Sequence, residues 1–293
     1  MSRAKFEYYA PGTVEEASRL LLDAGKGAFL LAGGTDLLVK INHEMIHPKA
    51  VVSLNAIKEL DFIKFERNKG LTIGAGARLA DVEIHPDIRR RYPAVAYAAS
   101  VTANTQIRNM GTVSGNLCNA APSAENAPTL IAMNAEVALY GKDGERRLPL
   151  EEFFKGPGLT ALEPGEILTS VFVPLPPAGS GVSYQHISAR GKVDISAVCV
   201  GAMVSLDKSG CEDVRIALGA VAPVPMRALK AERVLKGKKP AEDLVEKAAE
   251  QAMKEARPIS DMRASAAYRK TMVRVLTRRA LTEALKPARK KIG

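Results

Sequence analysis

Tryptophan is absent from this chain, aromatic residues make up only 5%, and there are only three cysteines in 293 residues. With so few aromatic rings, and no helix-turn-helix or zinc-finger pattern, a nucleic-acid-binding role is not expected, because single strands are bound by stacking bases on aromatic faces. Cys118, Cys199 and Cys211 are odd in number and widely separated. They therefore give neither a disulfide framework nor a structural zinc or iron–sulfur ligand set, and read as reduced thiols. No stretch approaches the roughly 18 uninterrupted apolar residues of a membrane span, and Met1-Ser2-Arg3-Ala4-Lys5 has no signal-peptide pattern, so a cytoplasmic protein is expected. A Gly-x-Gly-x-x-Gly run is missing too, as is a βαβ repeat of the Rossmann type. The histidines offer no hydrolase triad. His43, His47 and His85 lie near expected helix ends without a Ser, Cys or acid at motif spacing.

What is present fits a two-domain α+β protein. An apolar content of 46% suffices for two cores. Thr13-Val14-Glu15-Glu16 is a capping box opening a helix through Ala24, with Ala17, Leu20, Leu21 and Ala24 on one face and Gly25 and Gly27 ending it. Strands are expected at 28–31, 51–54, 62–65 and 71–73, helices near 79–85, 93–101 and 125–134, and a hairpin from Glu136–Tyr140 to Arg146–Leu148 around Lys142-Asp143-Gly144. The stretch Pro174-Leu175-Pro176-Pro177-Ala178-Gly179-Ser180-Gly181 reads as a linker. It divides the chain into residues 1–176 and 177–293. The second part shows three strand-like segments, 182–189, 197–206 and 213–221, then helices near 226–237, 240–256 and 264–285.

Charge is unevenly placed. Residues 226–293 hold 19 Lys or Arg and 8 Asp or Glu, a net of +11 in a chain of net charge +10. This basic character belongs to the terminal helices, and the final Lys286-Pro287-Ala288-Arg289-Lys290-Lys291 reads as a frayed tail that could meet an acidic partner.

Two loops carry the functional signal. Ala32-Gly33-Gly34-Thr35-Asp36 follows the apolar run Phe29-Leu30-Leu31. Its glycines allow φ > 0 and close backbone approach, and Thr35 and Asp36 are suited to cap a helix starting at Leu37, so a diphosphate could rest on exposed N–H groups there. Gly111-Thr112-Val113-Ser114-Gly115-Asn116 packs two glycines, two hydroxyls and an amide into six residues, followed by Pro122 and Glu125. Glu125 could accept from a ribose or sit in the first turn of the helix 125–134. Two such loops imply a nucleotide-like cofactor held from both sides.

These runs, with Leu71-Thr72-Ile73-Gly74-Ala75-Gly76-Ala77, Gln106-Ile107-Arg108-Asn109, and Tyr184 through Val200 (including Arg190, Asp194 and Ile195), resemble the FAD-binding medium subunit of the molybdenum hydroxylases over nearly the whole chain. The resemblance implies a two-subdomain FAD-binding domain of the vanillyl-alcohol-oxidase/PCMH type at 1–176. A smaller C-terminal domain of the carbon monoxide dehydrogenase flavoprotein type would follow at 177–293, with a three-stranded antiparallel sheet and a helical bundle. FAD would contact Leu30, Leu31, Ala32, Gly33, Gly34, Thr35, Asp36 and Leu37, then Gly111, Thr112, Val113, Ser114, Gly115 and Asn116. Glu125 would lie near a ribose, Leu168 would pack on the cofactor, and Ile195 would cover the isoalloxazine beside N5. His186, also expected at the cofactor, stands where the family commonly has a lysine near the flavin, Ser114 where a second glycine is common, and Glu125 where aspartate is usual. The implied role is to pass electrons from iron–sulfur clusters through FAD to NAD, a quinone or dioxygen. Molybdopterin and [2Fe-2S] clusters would sit on a large and a small partner subunit, in a dimer of heterotrimers. Two further readings remain at this level: a stand-alone FAD-dependent oxidase or dehydrogenase, and a non-enzymatic nucleotide-binding protein.

Overall fold

The computed structural model describes residues 5–191 and 193–290. The chain opens with β1 (Glu7–Tyr9), α1 (Val14–Ala24), β2 (Ala28–Leu31), α2 (Leu37–Asn42) and β3 (Ala50–Ser53). Thr13 caps α1 by accepting from the Glu16 N–H at 3.2 Å, and Gly25, at φ 60°, ends it. The three strands form a parallel sheet of order β1-β3-β2. These are parallel strands joined through α1 and α2, but in the order β1-β3-β2, so they do not form a βαβ repeat of the Rossmann type. The strands have three or four residues each, too few for a hydrophobic period to register, and Glu7-Tyr8-Tyr9 is no apolar run.

The second unit contains β4 (Ile63–Glu66), β5 (Gly70–Gly74), α3 (Leu79–Ile84), α4 (Pro86–Arg91), α5 (Pro93–Val101), α6 (Thr105–Arg108), α7 (Val113–Cys118), α8 (Ala127–Ala132), β6 (Glu136–Gly141), β7 (Gly144–Pro149), α9 (Leu150–Phe153), β8 (Phe154–Gly156), β9 (Leu159–Thr160) and β10 (Ile167–Pro174). Its sheet runs β4-β5-β10-β6-β7, and every pairing in it is antiparallel. β10, which no sequence signal marked as a strand, occupies the centre. Proline starts α4 and α5, where its missing N–H has no partner to lose. The apolar faces of α3, α5, α7 and α8 bury Leu79, Val82, Val95, Leu117 and Leu130 against Leu71, Ile73, Val137 and Val171 of the sheet.

The third unit is a sheet of β11 (Ser180–Ser188), β12 (Ser196–Leu206), β13 (Cys211–Gly219) and β14 (Met226–Arg227), followed by α10 (Leu229–Leu235), α11 (Glu242–Glu255) and α12 (Ala266–Lys290). The expected three strands thus gain a fourth of two residues, and α12 extends through the stretch read as a frayed tail as far as Lys290. Val273, Leu276, Ala280, Leu281, Ala284, Leu285 and Ala288 recur at helical spacing on one buried face of α12, which holds that segment on the sheet. Lys291 lies outside the described residues. The proline-rich connection is shorter than expected: Pro174 closes β10 and Ser180 opens β11. β12 is buried along its whole length, with α12 on one face and α8 of the preceding unit on the other. That second contact makes the two halves of the chain share a wall.

Candidate cofactor site

The site is built where two helix N-termini meet. β2 leads into Ala32–Asp36, and Gly34, at φ 72°, turns the chain into α2. On the other side, Asn104 caps α6 through the Ile107 N–H at 2.8 Å, and Thr112 caps α7 through the Gly115 N–H at 2.9 Å. Arg108 anchors the intervening loop, donating to Glu83 at 2.8 Å and to the Thr102 and Ala103 carbonyls at 3.3 Å. The two loops are in direct contact. A Cβ at Gly33 would stand 2.6 Å from Gly111 Cα and nearer still to the Met110 carbonyl, so only glycine fits there. The N–H groups of each helix's first turn lack intrahelical acceptors, and both helix dipoles favour an anion at this point.

Asp36 departs from its expected role. It holds the N-cap position of α2 without a side-chain cap bond and accepts instead from Asn119 Nδ2 at 3.0 Å, while Lys40 Nζ donates to Asn119 Oδ1 at 2.7 Å. Burial raises the Asp36 carboxyl above its ordinary value, against the pull of Lys40. Lys40 and Asn119 tie α2 to the end of α7.

Both loops open into a cavity of about 1590 Å3, above the range of roughly 300–1,000 Å3 that suits drug-sized ligands. Its lining includes Leu30, Ala32, Gly33, Gly34, Thr35, Asp36, Leu37, Gly111, Thr112, Ser114, Gly115, Asn116, Glu125, Leu168 and Ile195. Leu31 and His186 are absent from the lining, as is Val113, which is buried in the core under the second loop. Leu168 reaches the cavity beside a β-bulge between Leu168 and Ser170, an irregularity that redirects side chains. The wall at 162–167 is fixed by Arg146, which clasps Glu166 at 2.6 and 2.7 Å, and by Ser18, which donates to the Gly165 carbonyl at 2.8 Å.

The C-terminal half closes the far side. Ala189, Arg190, Val193, Asp194 and Ile195, from the loop between β11 and β12, line the cavity together with Met262 and Arg263. Arg190 pairs with Asp194 at 3.0 Å, and Asp194 also accepts from the Ile195 N–H at 2.9 Å. Arg269, buried on α12, donates to the Ala197 carbonyl at 2.6 Å and to Asp261 at 2.7 Å. It thereby joins the start of β12 to the loop that carries Met262.

Glu125 precedes α8 and does not occupy its first turn. Its buried carboxyl accepts from the Tyr184 hydroxyl and from the Ser196 N–H at 3.3 Å, and burial raises its pKa. Sequence reasoning missed Lys40, Asn119, Met262 and Arg263. The first two lie one turn beyond the glycine loops and could have been marked by that spacing, whereas the last two carry no local signal. Among the described residues, no three His, Cys, Asp or Glu side chains converge to hold a metal, and the three cysteines are free.

The comparisons with known proteins decide the family. Residues 4–176 match the model of the FAD-binding domain in molybdopterin dehydrogenase, and residues 183–284 match that of the CO dehydrogenase flavoprotein C-terminal domain. The chain belongs to the FAD-binding medium subunits of the molybdenum hydroxylases. It is 34% identical over 282 residues to the carbon monoxide dehydrogenase medium chain of Hydrogenophaga pseudoflava, covering 96% of this chain and 97% of that one. It is 31% identical to a putative xanthine dehydrogenase FAD-binding subunit of Escherichia coli, covering 96% of each. Among solved structures, a Hydrogenophaga pseudoflava carbon monoxide dehydrogenase superimposes with a TM-score of 0.94 at 33% identity, covering 98% of this chain and 99% of that one. Quinoline 2-oxidoreductase from Pseudomonas putida 86 superimposes with a TM-score of 0.90 at 29% identity, covering 98% of this chain and 99% of that one. This medium subunit is a flavoprotein component of a multi-subunit oxidoreductase. Its cofactor is FAD. The residues present fit the cofactor: the cavity has room for a dinucleotide, and the buried Ser114 hydroxyl on its wall has no partner among the described residues.

Proposed function

We propose that this medium subunit holds FAD across the two cradles and passes electrons from a partner's iron–sulfur clusters to an external acceptor such as NAD, a quinone or dioxygen. The observation that carries this reading is that one cavity is lined by both glycine loops and by Ala189, Arg190, Val193, Asp194 and Ile195. In this reading the diphosphate rests on the first turns of α2 and α7, and the Ser114 hydroxyl turns toward it. Lys40 is the adjacent cation, Leu168 packs on the cofactor, and Ile195 covers the ring system. Glu125 lies at a ribose. Bound FAD supplies the redox chemistry, and the chain supplies orientation, exclusion of water and tuning. The partners are a large molybdopterin subunit and a small [2Fe-2S] subunit in a dimer of heterotrimers. The complex works in the cytoplasm, and residues 1–176 and 177–293 act as its FAD-binding and covering domains. No helix of the described residues is long and apolar enough to cross a membrane.

Two measurements test this reading. Acid precipitation of the purified chain is expected to release yellow flavin to the supernatant, and colour held in the denatured pellet would contradict noncovalent binding. The isolated chain is expected to be inert toward organic substrates. Flavin bleaching by such a substrate without partners would favour a stand-alone oxidase instead.

A further inference from the structure

Asn116 lines the cavity from α7, and its backbone N–H is already committed to the Thr112 carbonyl at 3.0 Å. Only its side-chain amide is left for a ligand. An amide has two unlike ends, an oxygen that accepts and an NH2 that donates, so the end that faces the cavity decides what Asn116 can bind. The neighbouring residues fix that end. Asn126 holds the N-cap position of α8 but makes no side-chain cap bond there, although asparagine is among the favoured capping residues. Its side chain, in a residue only 2% exposed, instead directs Nδ2 to Asn116 Oδ1 at 3.1 Å and to Thr102 Oγ1 at 3.3 Å.

The Thr102 hydroxyl gives its proton to the Ala98 carbonyl at 2.9 Å. That carbonyl belongs to the last turn of α5, where the helix leaves carbonyls without an N–H partner. Thr102 Oγ1 can therefore only accept from Asn126, which turns the NH2 of Asn126 inward and leaves Asn116 with its oxygen toward the protein. The backbone of Thr102 is held as well, since its carbonyl accepts from Arg108 at 3.3 Å. Reversing the Asn116 amide would require Asn126 to reverse too, setting its Oδ1 against the lone pairs of Thr102, or would require Thr102 to abandon Ala98. Asn126 Oδ1 is buried and has no partner among the described residues, because Nδ2 is the end aimed at both neighbours.

We propose that Asn126 and Thr102 are positioning residues that lock the Asn116 amide with its NH2 toward the cavity, as a donor to an oxygen of the cofactor. The proposal rests on the reading that FAD occupies the cavity with its diphosphate at the two glycine loops, and the accepting atom is then a diphosphate oxygen. A diphosphate offers acceptors only, so an Asn116 amide turned the other way would set oxygen against oxygen. Among the described residues, Asn116 Nδ2 has no partner of its own.

The test measures the affinity of the full, flavin-free chain for FAD by fluorescence quenching and for ADP by competition, alongside melting temperatures. Asn116→Ala is expected to weaken FAD and ADP alike by about ten- to hundredfold, the range for a hydrogen bond to a charged group. Asn126→Leu leaves Asn116 in place but free to turn, and is expected to weaken both by about three- to tenfold, the effect of having to order one released side chain. In an Asn116→Ala background, Asn126→Leu is expected to lower the melting temperature as before and to leave FAD affinity where Asn116→Ala set it. A role in folding alone would weaken binding in both backgrounds. Thr102→Val keeps the shape and removes only the hydroxyl, so it serves as the second probe should Asn126→Leu fail to fold. It is expected to weaken FAD by about twofold, and only where Asn116 is present, because both orientations of the paired amides are then open. In nitrogen-15 spectra, the side-chain NH2 signal missing from Asn116→Ala is expected to move when FAD binds the wild-type chain. Wild-type affinity in Asn126→Leu and Thr102→Val, equal losses in the two backgrounds, or an Asn116 NH2 signal that FAD leaves unmoved would overturn the lock. Weakened FAD with unweakened ADP in Asn116→Ala would overturn the assignment to a diphosphate oxygen. A wild-type chain that takes up no FAD would overturn the cofactor reading itself.

Discussion

At the residue scale, the two glycine loops place different demands on glycine. Gly33 is required by the protein, because any Cβ there meets the backbone of Met110 and Gly111. Gly33→Ala is therefore expected to lower the melting temperature of the cofactor-free chain as well as abolish FAD binding. Gly115 sits inside α7, where a Cβ would meet only Thr112 Oγ1 at 3.1 Å. Alanine at such a site stabilises a helix by about 0.4–1 kcal/mol through the unfolded chain, so Gly115→Ala is expected to keep or raise the melting temperature while weakening FAD binding. Unchanged FAD affinity in that variant would remove the start of α7 from the site. Asp261 shows the same economy in charge. Backbone N–H groups of Arg263 and Ala264, together with Arg269, hold its carboxyl at about 2, below its ordinary 3.8. The folded state therefore favours the ionised form, and the stabilisation is present above pH 3.8 and lost as pH falls toward 2. Arg269→Met is expected to cost roughly 2–3 kcal/mol at neutral pH, in line with bonds to a charged group. In urea titrations the difference from wild type is expected to shrink as Asp261 protonates.

At the element scale, α8 is the joint between the two halves. It packs on β12 and β13 at two glycines: a Cβ at Gly201 would lie 2.6 Å from the Pro128 carbonyl carbon, and one at Gly219 would lie 2.9 Å from Pro128 Cγ. The cavity depends on this joint, because Glu125 leads into α8 while Tyr184 and Ser196 reach it from β11 and β12. Gly201→Ala is expected to destabilise by about 1–3 kcal/mol, the range for forcing extra atoms into a packed core. It is also expected to loosen FAD retention during gel filtration. Wild-type urea stability in this variant would mean that the helix and sheet can separate without cost. The elements that were hard to read locally share one trait. β10 draws its identity from partners on both sides, β5 and β6, and the strands of the parallel sheet are too short for a period. α7 reads as a loop because glycine and serine are poor helix formers, yet the Thr112 cap and packing of Leu117 in the core impose the helix.

At the scale of the whole molecule, the excess positive charge lies on the terminal helices but is partly neutralised at home. Arg274 and Arg278 face Glu246 of α11, and Lys286 pairs with Glu283 at 2.6 Å. Arg279 is exposed and has no carboxylate partner among the described residues. Surface charge of this kind raises association rates more than affinity and is screened over about 8 Å at physiological ionic strength. Reversing Arg278, Arg279 and Lys286 together is expected to slow assembly with the partner subunits at low salt, with Arg279 contributing most, and to have little effect at high salt. Stopped-flow mixing of the subunits across a salt series measures this. A rate independent of both charge and salt would place docking elsewhere.

The amino-acid sequence alone determined the ordered glycine loops, the Thr13 cap of α1, the hairpin of β6 and β7 and the buried strands of the C-terminal sheet, while the Glu16 half of the expected capping box instead accepts from the Gly12 N–H at 3.0 Å. Each of these is a short-range matter of turn chemistry or periodicity, legible in a few neighbouring residues. Fifteen of the eighteen residues marked for the cofactor line one cavity; those of the glycine loops were legible because backbone that must approach a ligand closely needs small residues, whereas Leu30, Leu37, Leu168 and Ile195 were marked only by the family resemblance. Only the tertiary structure decided that Gly33 is reserved for the backbone of Met110, that Asn119 and Lys40 bind the two cradles together, and that Glu125 is buried against Tyr184 and Ser196. These relations join residues between 59 and 83 positions apart where the hydrogen bonds are concerned. Contacts at such distances come from chain packing as a whole, and no local pattern encodes them.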